Sequence, residues 1–277
     1  MEKILVATDL SARSDRAVLR AAQLAGAKGA ALRIVHVVDD DLPAAMLQTR
    51  TEEVTDALEA MVAQTPALSE LSPEISIEAG HIDVLLPKVA AEYGADLLVV
   101  GGHRNRGMAE LLGTPTLVRL VRGTELPVLV VTGRPEAPYA AVSVAWDFSP
   151  AARIAGLTAR ALAPDAALTL VHAWVEPYGG SPYGIDAAAT MPAAMRQRLE
   201  TKIAGDAAEL GGDPVPGQVI VIGPPGHVLR RRAVDGEADL LALGRHARSG
   251  LARFLLGATA EDVALTADCD VLIAPPE

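Results

Sequence analysis

The chain has 277 residues, half of them hydrophobic but only 3% aromatic, with 24 basic and 35 acidic side chains for a net charge of −11. That length accommodates two ordinary domains, the aliphatic bias excludes a disordered chain, and the acidic balance speaks against nucleic acid as a partner. The single cysteine, Cys269, has no internal disulfide partner, no run approaches the roughly 18 apolar residues of a membrane span, and Met1 to Val6 lack the basic region and long apolar stretch of a signal peptide, so a cytoplasmic protein with no membrane partner is expected.

In chain order, short aliphatic runs alternate with helix-like segments. Strands are expected at 4–8, 31–37, 75–79, 97–101 and 127–131. Between them lie an Ala-rich helix around Ala17–Leu24, a second marked by Val54, Leu58, Met61 and Val62, and a third marked by Val84, Leu85 and Val89. The strands are continuously apolar instead of alternating, as in a parallel sheet covered by helices on both faces. Gly133 to Pro138 then reads as a linker, and the pattern begins again.

The second half repeats the first. Ile4 to Ser11 returns as Val142 to Ser149, with Asp9 and Asp147 offset by 138; Arg33 to Val37 returns as Thr169 to Ala173, with His36 and His172 offset by 136. Ala95 to Gly101 returns as Ala238 to Gly244, and Val128 to Val131 as Val271 to Ala274, both offset by 143. Offsets this steady mark a duplication, and the drift places an insertion near Glu176–Gly184. Two doubly wound α/β domains of five parallel strands are therefore expected, over 1–134 and 138–277. In the order 3-2-1-4-5, strands one and four are neighbours. Ligands of such sheets bind beyond the strands' carboxyl ends, where the winding reverses. In both copies an Asp follows strand one (Asp9, Asp147) and a glycine loop follows strand four (from Gly101, from Gly244).

Those loops carry a family resemblance. Copy one reads Gly101-Gly102-His103-Arg104 and ends in Gly113-Thr114-Pro115; copy two reads Gly244-Arg245-His246-Ala247 and ends in Gly257-Ala258-Thr259. The chain resembles a tandem universal stress protein, whose ATP-binding members carry Gly, two residues, Gly, nine residues, Gly, then Ser or Thr. In such loops glycines let the backbone approach a polyphosphate, and the following helix N-terminus supplies N–H donors. Both copies depart from the pattern. Arg104 and Ala247 replace the second glycine, copy one is a residue short, and Pro115 removes an N–H; Ala258 replaces the hydroxyl residue. Thr114 as N-cap with Pro115 at N1 is an equally good helix start.

By resemblance, the fold is of the adenine-nucleotide alpha-hydrolase-like kind and the ligand is ATP or AMP, with Mg only where ATP binds. The expected nucleotide-binding residues in copy two, the better preserved, are Ala145, Asp147, Ala173, Gly244, His246, Ala247, Gly257, Ala258 and Thr259. In copy one they are Ala7, Asp9, Val37, Gly101, His103, Gly113 and Thr114. The implied role is nucleotide sensing in a stress response. A ligand-free adaptor of the same fold and a slow ATPase are the alternatives, and no catalytic residue is assigned. The resemblance also implies that the halves pair through Val128–Val131 and Val271–Ala274, with a homodimer left open.

Other residues have simpler readings. Asp9 and Asp147 also suit N-capping. Trp146 either stacks on a base or fills the site. The six histidines lack ligand spacing, so no metal is expected. Arg230-Arg231-Arg232 reads as the solvated face of a helix, and Asp39-Asp40-Asp41 as an exposed loop.

Overall fold

Runs such as Ile4-Leu5-Val6 and Leu97-Leu98-Val99 bury completely because helices cover both faces of the strands they form. The computed structural model describes residues 1–102, 115–175, 191–245 and 257–275. It divides into two units, Met1–Pro138 and Tyr139–Glu277.

Unit 1 runs β1 (Lys3–Ala7), α1 (Ala12–Lys28), β2 (Ala31–Val38), α2 (Ala44–Gln64), α3 (Pro66–Leu71), β3 (Glu74–Ala79), α4 (Ile82–Tyr93), β4 (Leu97–Gly101), α5 (Thr116–Gly123) and β5 (Val128–Val131). Its strands lie in the order β3-β2-β1-β4-β5, all parallel. In β1, Val6 pairs with Ile34 on one side and Val99 on the other, so the central strand has no free edge.

Unit 2 runs β6 (Ala141–Ala145), α6 (Pro150–Leu162), β7 (Ala167–Trp174), α7 (Ala193–Leu210), β8 (Gly217–Ile222), α8 (Pro225–Val234), β9 (Leu240–Gly244), α9 (Ala258–Thr266) and β10 (Asp270–Ala274). Its order is β8-β7-β6-β9-β10, again parallel throughout. Among the described residues, a single helix, α7, stands where unit 1 has α2 and α3. The insertion expected near Glu176–Gly184 lies outside the described residues.

The third helix marked by Val84, Leu85 and Val89 is α4; its core face is Leu86, Val89, Ala90 and Tyr93, a three-to-four residue repeat, while Val84 is 67% exposed. Two local readings are corrected. Pro115 is the N-cap of α5 and Thr116 its first residue, one position later than expected; the ring fixes φ near −54° while ψ stays extended, so the proline precedes the turn. Arg230 to Arg232 are not all solvated. Arg231 is, but Arg232 is only 14% exposed in its side chain; it donates from Nε to the buried Ser143 hydroxyl at 2.8 Å and pairs with Glu237 at 2.5 Å. Arg230 pairs with Asp262 and donates to Thr266 Oγ1 at 3.1 Å.

The linker stretch is tied to unit 1. From α1, Arg16 donates to the Thr132 carbonyl at 2.9 Å and Arg20, itself buried, donates to the Ala137 carbonyl at 2.8 Å.

Candidate functional site

Each copy begins its site with the same short sequence, Asp-x-Ser, after the central strand. The carboxylate accepts the backbone N–H two residues on: Ser11 N to Asp9 Oδ1 at 3.0 Å, and Ser149 N to Asp147 Oδ1 at 3.0 Å. Closing that turn puts the middle residue in the left-handed region, Leu10 at φ 59° and Phe148 at φ 64°. Such a conformation is unfavourable for a side chain with a Cβ and concentrates at functional loops. The serine then caps the following helix, Ser11 Oγ accepting from Ser14 N and Ser149 Oγ from Ala152 N. The N-capping expected of the aspartates is therefore corrected: Ser11 and Ser149 are the N-caps, and each Asp carboxylate instead closes the turn that precedes them at the sheet's switch point.

In copy one this turn is reinforced from below. Ser14 Oγ accepts from Asp9 N, Ser11 N and Thr8 Oγ1, and donates to the Ser11 carbonyl. Burial pushes the Asp9 carboxyl up, but hydrogen bonds from Ser11 and Ser14 outweigh it and hold the group below its ordinary value. Copy two has Trp146 and Ala152 in place of Thr8 and Ser14. Trp146 is 4% exposed and its indole donates to Asp206 at 2.8 Å. So anchored, it forms one wall of the cleft. Its carbonyl accepts from His172 Nδ1 at 2.7 Å, which fixes the imidazole tautomer. Phe148 leans on His172 with ring centroids 4.8 Å apart, and Lys202 Nζ sits 4.1 Å above the Phe148 ring.

The second wall is the end of strand four. Helix α6 rests directly on Gly244: a Cβ there would overlap the Ala151 carbonyl and come within 2.8 Å of Ala151 Cβ. Only glycine lets strand and helix approach this closely. The third wall is α9. Gly257 is its N-cap, and among the described residues no side-chain cap bond closes the first turn.

In unit 2 a cleft of about 210 Å³ brings together Ala145, Asp147, Ala173, Gly244, Gly257, Ala258 and Thr259 of the expected set. His246 and Ala247 lie outside the described residues. The unit 1 cleft, about 240 Å³, holds Ala7, Asp9 and Gly101 with Arg13, Ser14, Gly102 and Thr116. Val37 lies in an adjoining groove beside β2 and α2 that shares Asp9 with the cleft and includes His36, Met46 and Arg50. Burial holds His36 below its ordinary value, against the pull of the nearby Thr8 backbone, so the ring is neutral at pH 7. His103, Gly113 and Thr114 lie outside the described residues. Sequence reasoning passed over Arg13; the signal was available, since its counterpart 138 positions on is Ala151.

The same fold, turn and cleft in both halves agree with the comparison to known families: the model of the universal stress protein family matches residues 1–132 and again 138–275. The chain belongs to the universal stress protein family. Among universal stress proteins, it is 28% identical over 298 residues to one from Mycolicibacterium smegmatis, covering 99% of this chain and 97% of that protein. It is 32% identical over 123 residues to universal stress protein A homolog 1 of Coxiella burnetii, covering 40% of this chain and 83% of that protein. A crystal structure of a universal stress protein from Archaeoglobus fulgidus superposes with a TM-score of 0.69 at 18% identity, over 99% of this chain and 98% of that one. At that identity the likeness is one of fold. Among the described residues no helix is long and apolar enough to cross a membrane. Asp39, Asp40 and Asp41 are exposed, with carboxylates within 4.8 Å of one another.

Proposed function

We propose that this tandem universal stress protein senses adenine nucleotide, ATP or AMP, in a stress response, and that unit 2 holds the nucleotide. The observation that carries this reading is the convergence of three strand ends and a helix N-terminus with glycine at its N-cap on one cleft, at Ala145 and Asp147, Ala173, Gly244, and Gly257 to Thr259. Asp147 is placed to accept ribose or base hydrogen bonds, and the N–H groups at the start of α9 suit a phosphate. Among the described residues lining the cleft, Asp147 and His172 are the titratable ones. The proposed role is binding and signalling, with hydrolysis left outside it; Mg enters only with ATP.

A second reading, an interaction module without nucleotide, is favoured by Ala258 at the hydroxyl position and by the largely aliphatic lining. Denaturing the purified protein and analysing what it releases separates the two. Released ATP or AMP supports the sensor. A protein that releases none and gives no heat with ATP is the interaction module.

A further inference from the structure

Among the described residues, the sheet of unit 2 ends on β8, which pairs with β7 alone, and the sheet of unit 1 ends on β3, which pairs with β2 alone. The two edge strands meet solvent differently. β3 runs Glu74-Ile75-Ser76-Ile77-Glu78-Ala79, and its two carboxylates are the kind of charge that keeps an exposed edge from pairing. β8 runs Gly217-Gln218-Val219-Ile220-Val221-Ile222, with no charged side chain and no buried residue.

The ladder fixes which backbone groups of β8 face outward. The Gly223 N–H donates to the Trp174 carbonyl at 2.9 Å, so Gly223 faces β7. The N–H and C=O of one residue point to the same side of a strand, and successive residues alternate. Val221, Val219 and Gly217 therefore face β7, while Gln218, Ile220 and Ile222 turn their N–H and C=O away from it. Among the described residues no hydrogen bond reaches those outward groups. Pro216 and Pro224, which have no N–H to donate, frame the stretch at both ends. Apolar side chains flank it. Val215 is 56% exposed just before the strand and Ile222 37% at its end; Val175, next to the β7 partner of Ile222, is 49% exposed.

We propose that β8 is an interaction surface for a second copy of this chain, the two strands pairing antiparallel about a two-fold axis at Ile220. In that register Gln218 faces the partner's Ile222 and Ile220 faces the partner's Ile220. Each such pair exchanges two N–H···O=C bonds, the narrow pair of an antiparallel ladder. The Val215 end of one strand comes beside the Ile222 end of the other, so the exposed apolar residues cover each other. A foreign strand fits less well, because β8 has no charged side chain with which to read one, whereas two-fold pairing matches its apolar ends to themselves. Isologous pairing uses up both edges and closes at two chains. A seam this short lies at the small end of specific interfaces, so the dimer is concentration-dependent. No residue of β8 lines either cleft, and the proposal does not rest on the nucleotide reading.

The test is sedimentation equilibrium of the full chain from about 1 to about 300 µM, on wild type and three double variants. Gln218 and Ile222 are both exposed and stand about 13 Å apart along one strand, so charges placed there meet only across the seam. Gln218→Glu with Ile222→Glu, and Gln218→Lys with Ile222→Lys, set like charges opposite each other. Gln218→Lys with Ile222→Glu sets opposite charges there. Wild type is expected to pass from monomer to dimer across the range. Both like-charge variants weaken the dimer about tenfold or more, the lysine variant even though it lowers the chain's net negative charge. The Lys–Glu variant dimerises like wild type. Hydrogen exchange on wild type needs no variant: the amides of Gln218, Ile220 and Ile222 should slow as concentration rises. Wild type that stays monomeric leaves the edge to a foreign strand and overturns the proposal. So does a dimer indifferent to the like-charge variants, a Lys–Glu variant as weak as they are, or exchange at those three amides that ignores concentration.

Discussion

Replacing Gly244 by alanine perturbs the closest approach of helix to strand in unit 2. The added Cβ would overlap the carbonyl carbon and oxygen of Ala151, in the first turn of α6, and lie 2.8 Å from its Cβ. These atoms are helix backbone and cannot rotate away, so α6 must lift from β9. Gly101 occupies the same place in unit 1, but there the nearest atoms are the Arg13 carbonyl carbon and oxygen at 3.2 Å and Ser14 N at 3.3 Å, which a shift of a few tenths of an ångström relieves. Overpacking costs about 1–3 kcal/mol, and occasionally more. Gly244→Ala belongs at the upper end, near ~3 kcal/mol, and Gly101→Ala below ~1 kcal/mol. At about 2–4 °C of melting temperature per kcal/mol for a chain of this size, the first shifts the unit 2 transition by roughly 6–12 °C and the second by no more than about 4 °C. Thermal and urea unfolding of both variants, followed by circular dichroism, read the difference. Equal shifts would refute the reasoning, because the predicted difference comes from how closely the helix rests on the strand at each glycine.

Three further outcomes follow from individual groups. Arg232→Ala strands the buried Ser143 hydroxyl and Glu237, and should cost about 1.5–3 kcal/mol by urea denaturation, whereas Arg231→Ala, at an exposed pair, should stay within about 0.5 kcal/mol; similar losses would contradict the inward placement of Arg232. Burial, with Asp270 and Asp239 nearby, raises the Cys269 thiol to about 12, so at pH 8 the native protein should react with a thiol reagent far more slowly than the unfolded chain. Rapid labelling of the folded chain would be inconsistent with that. The depressed Asp9 carboxyl contributes stability that is present above its unfolded value of 3.8 and lost as pH falls through the lower folded value. The stability gap between wild type and Asp9→Asn should therefore narrow below about pH 4, and a gap unchanged from pH 7 to pH 3 would show that the Ser11 and Ser14 hydrogen bonds do not hold the charge.

The strands and their order were legible because Ile4-Leu5-Val6 and its counterparts are apolar without alternation, and because the repeat supplies each landmark twice. The Asp turns were legible as positions but not as geometry: Leu10 and Phe148 carry no signal that they adopt positive φ. Helix α4 was legible as an element but not as a face, because Val84 and Leu85 are as apolar as Leu86, and only the packing of the helix decides which of them turns inward. Arg232 was misread for the opposite reason. A triple arginine looks like a solvated face, yet a helix separates consecutive side chains by about 100° around its axis, so one of the three points at the sheet. Arg13 belongs to no motif and becomes visible only when Ala151 is set beside it. The glycine loops were the most legible feature by sequence, and His103, Gly113, Thr114, His246 and Ala247 lie outside the described residues.

The most direct measurement of the nucleotide-sensing claim is calorimetric titration of ATP and AMP into the wild-type chain and into Gly257→Phe. The account predicts binding to wild type that is lost or strongly weakened in Gly257→Phe, with both proteins melting at similar temperatures. Binding unchanged by Gly257→Phe would move the nucleotide out of the unit 2 cleft, and the absence of heat in wild type at millimolar ATP would contradict nucleotide sensing altogether.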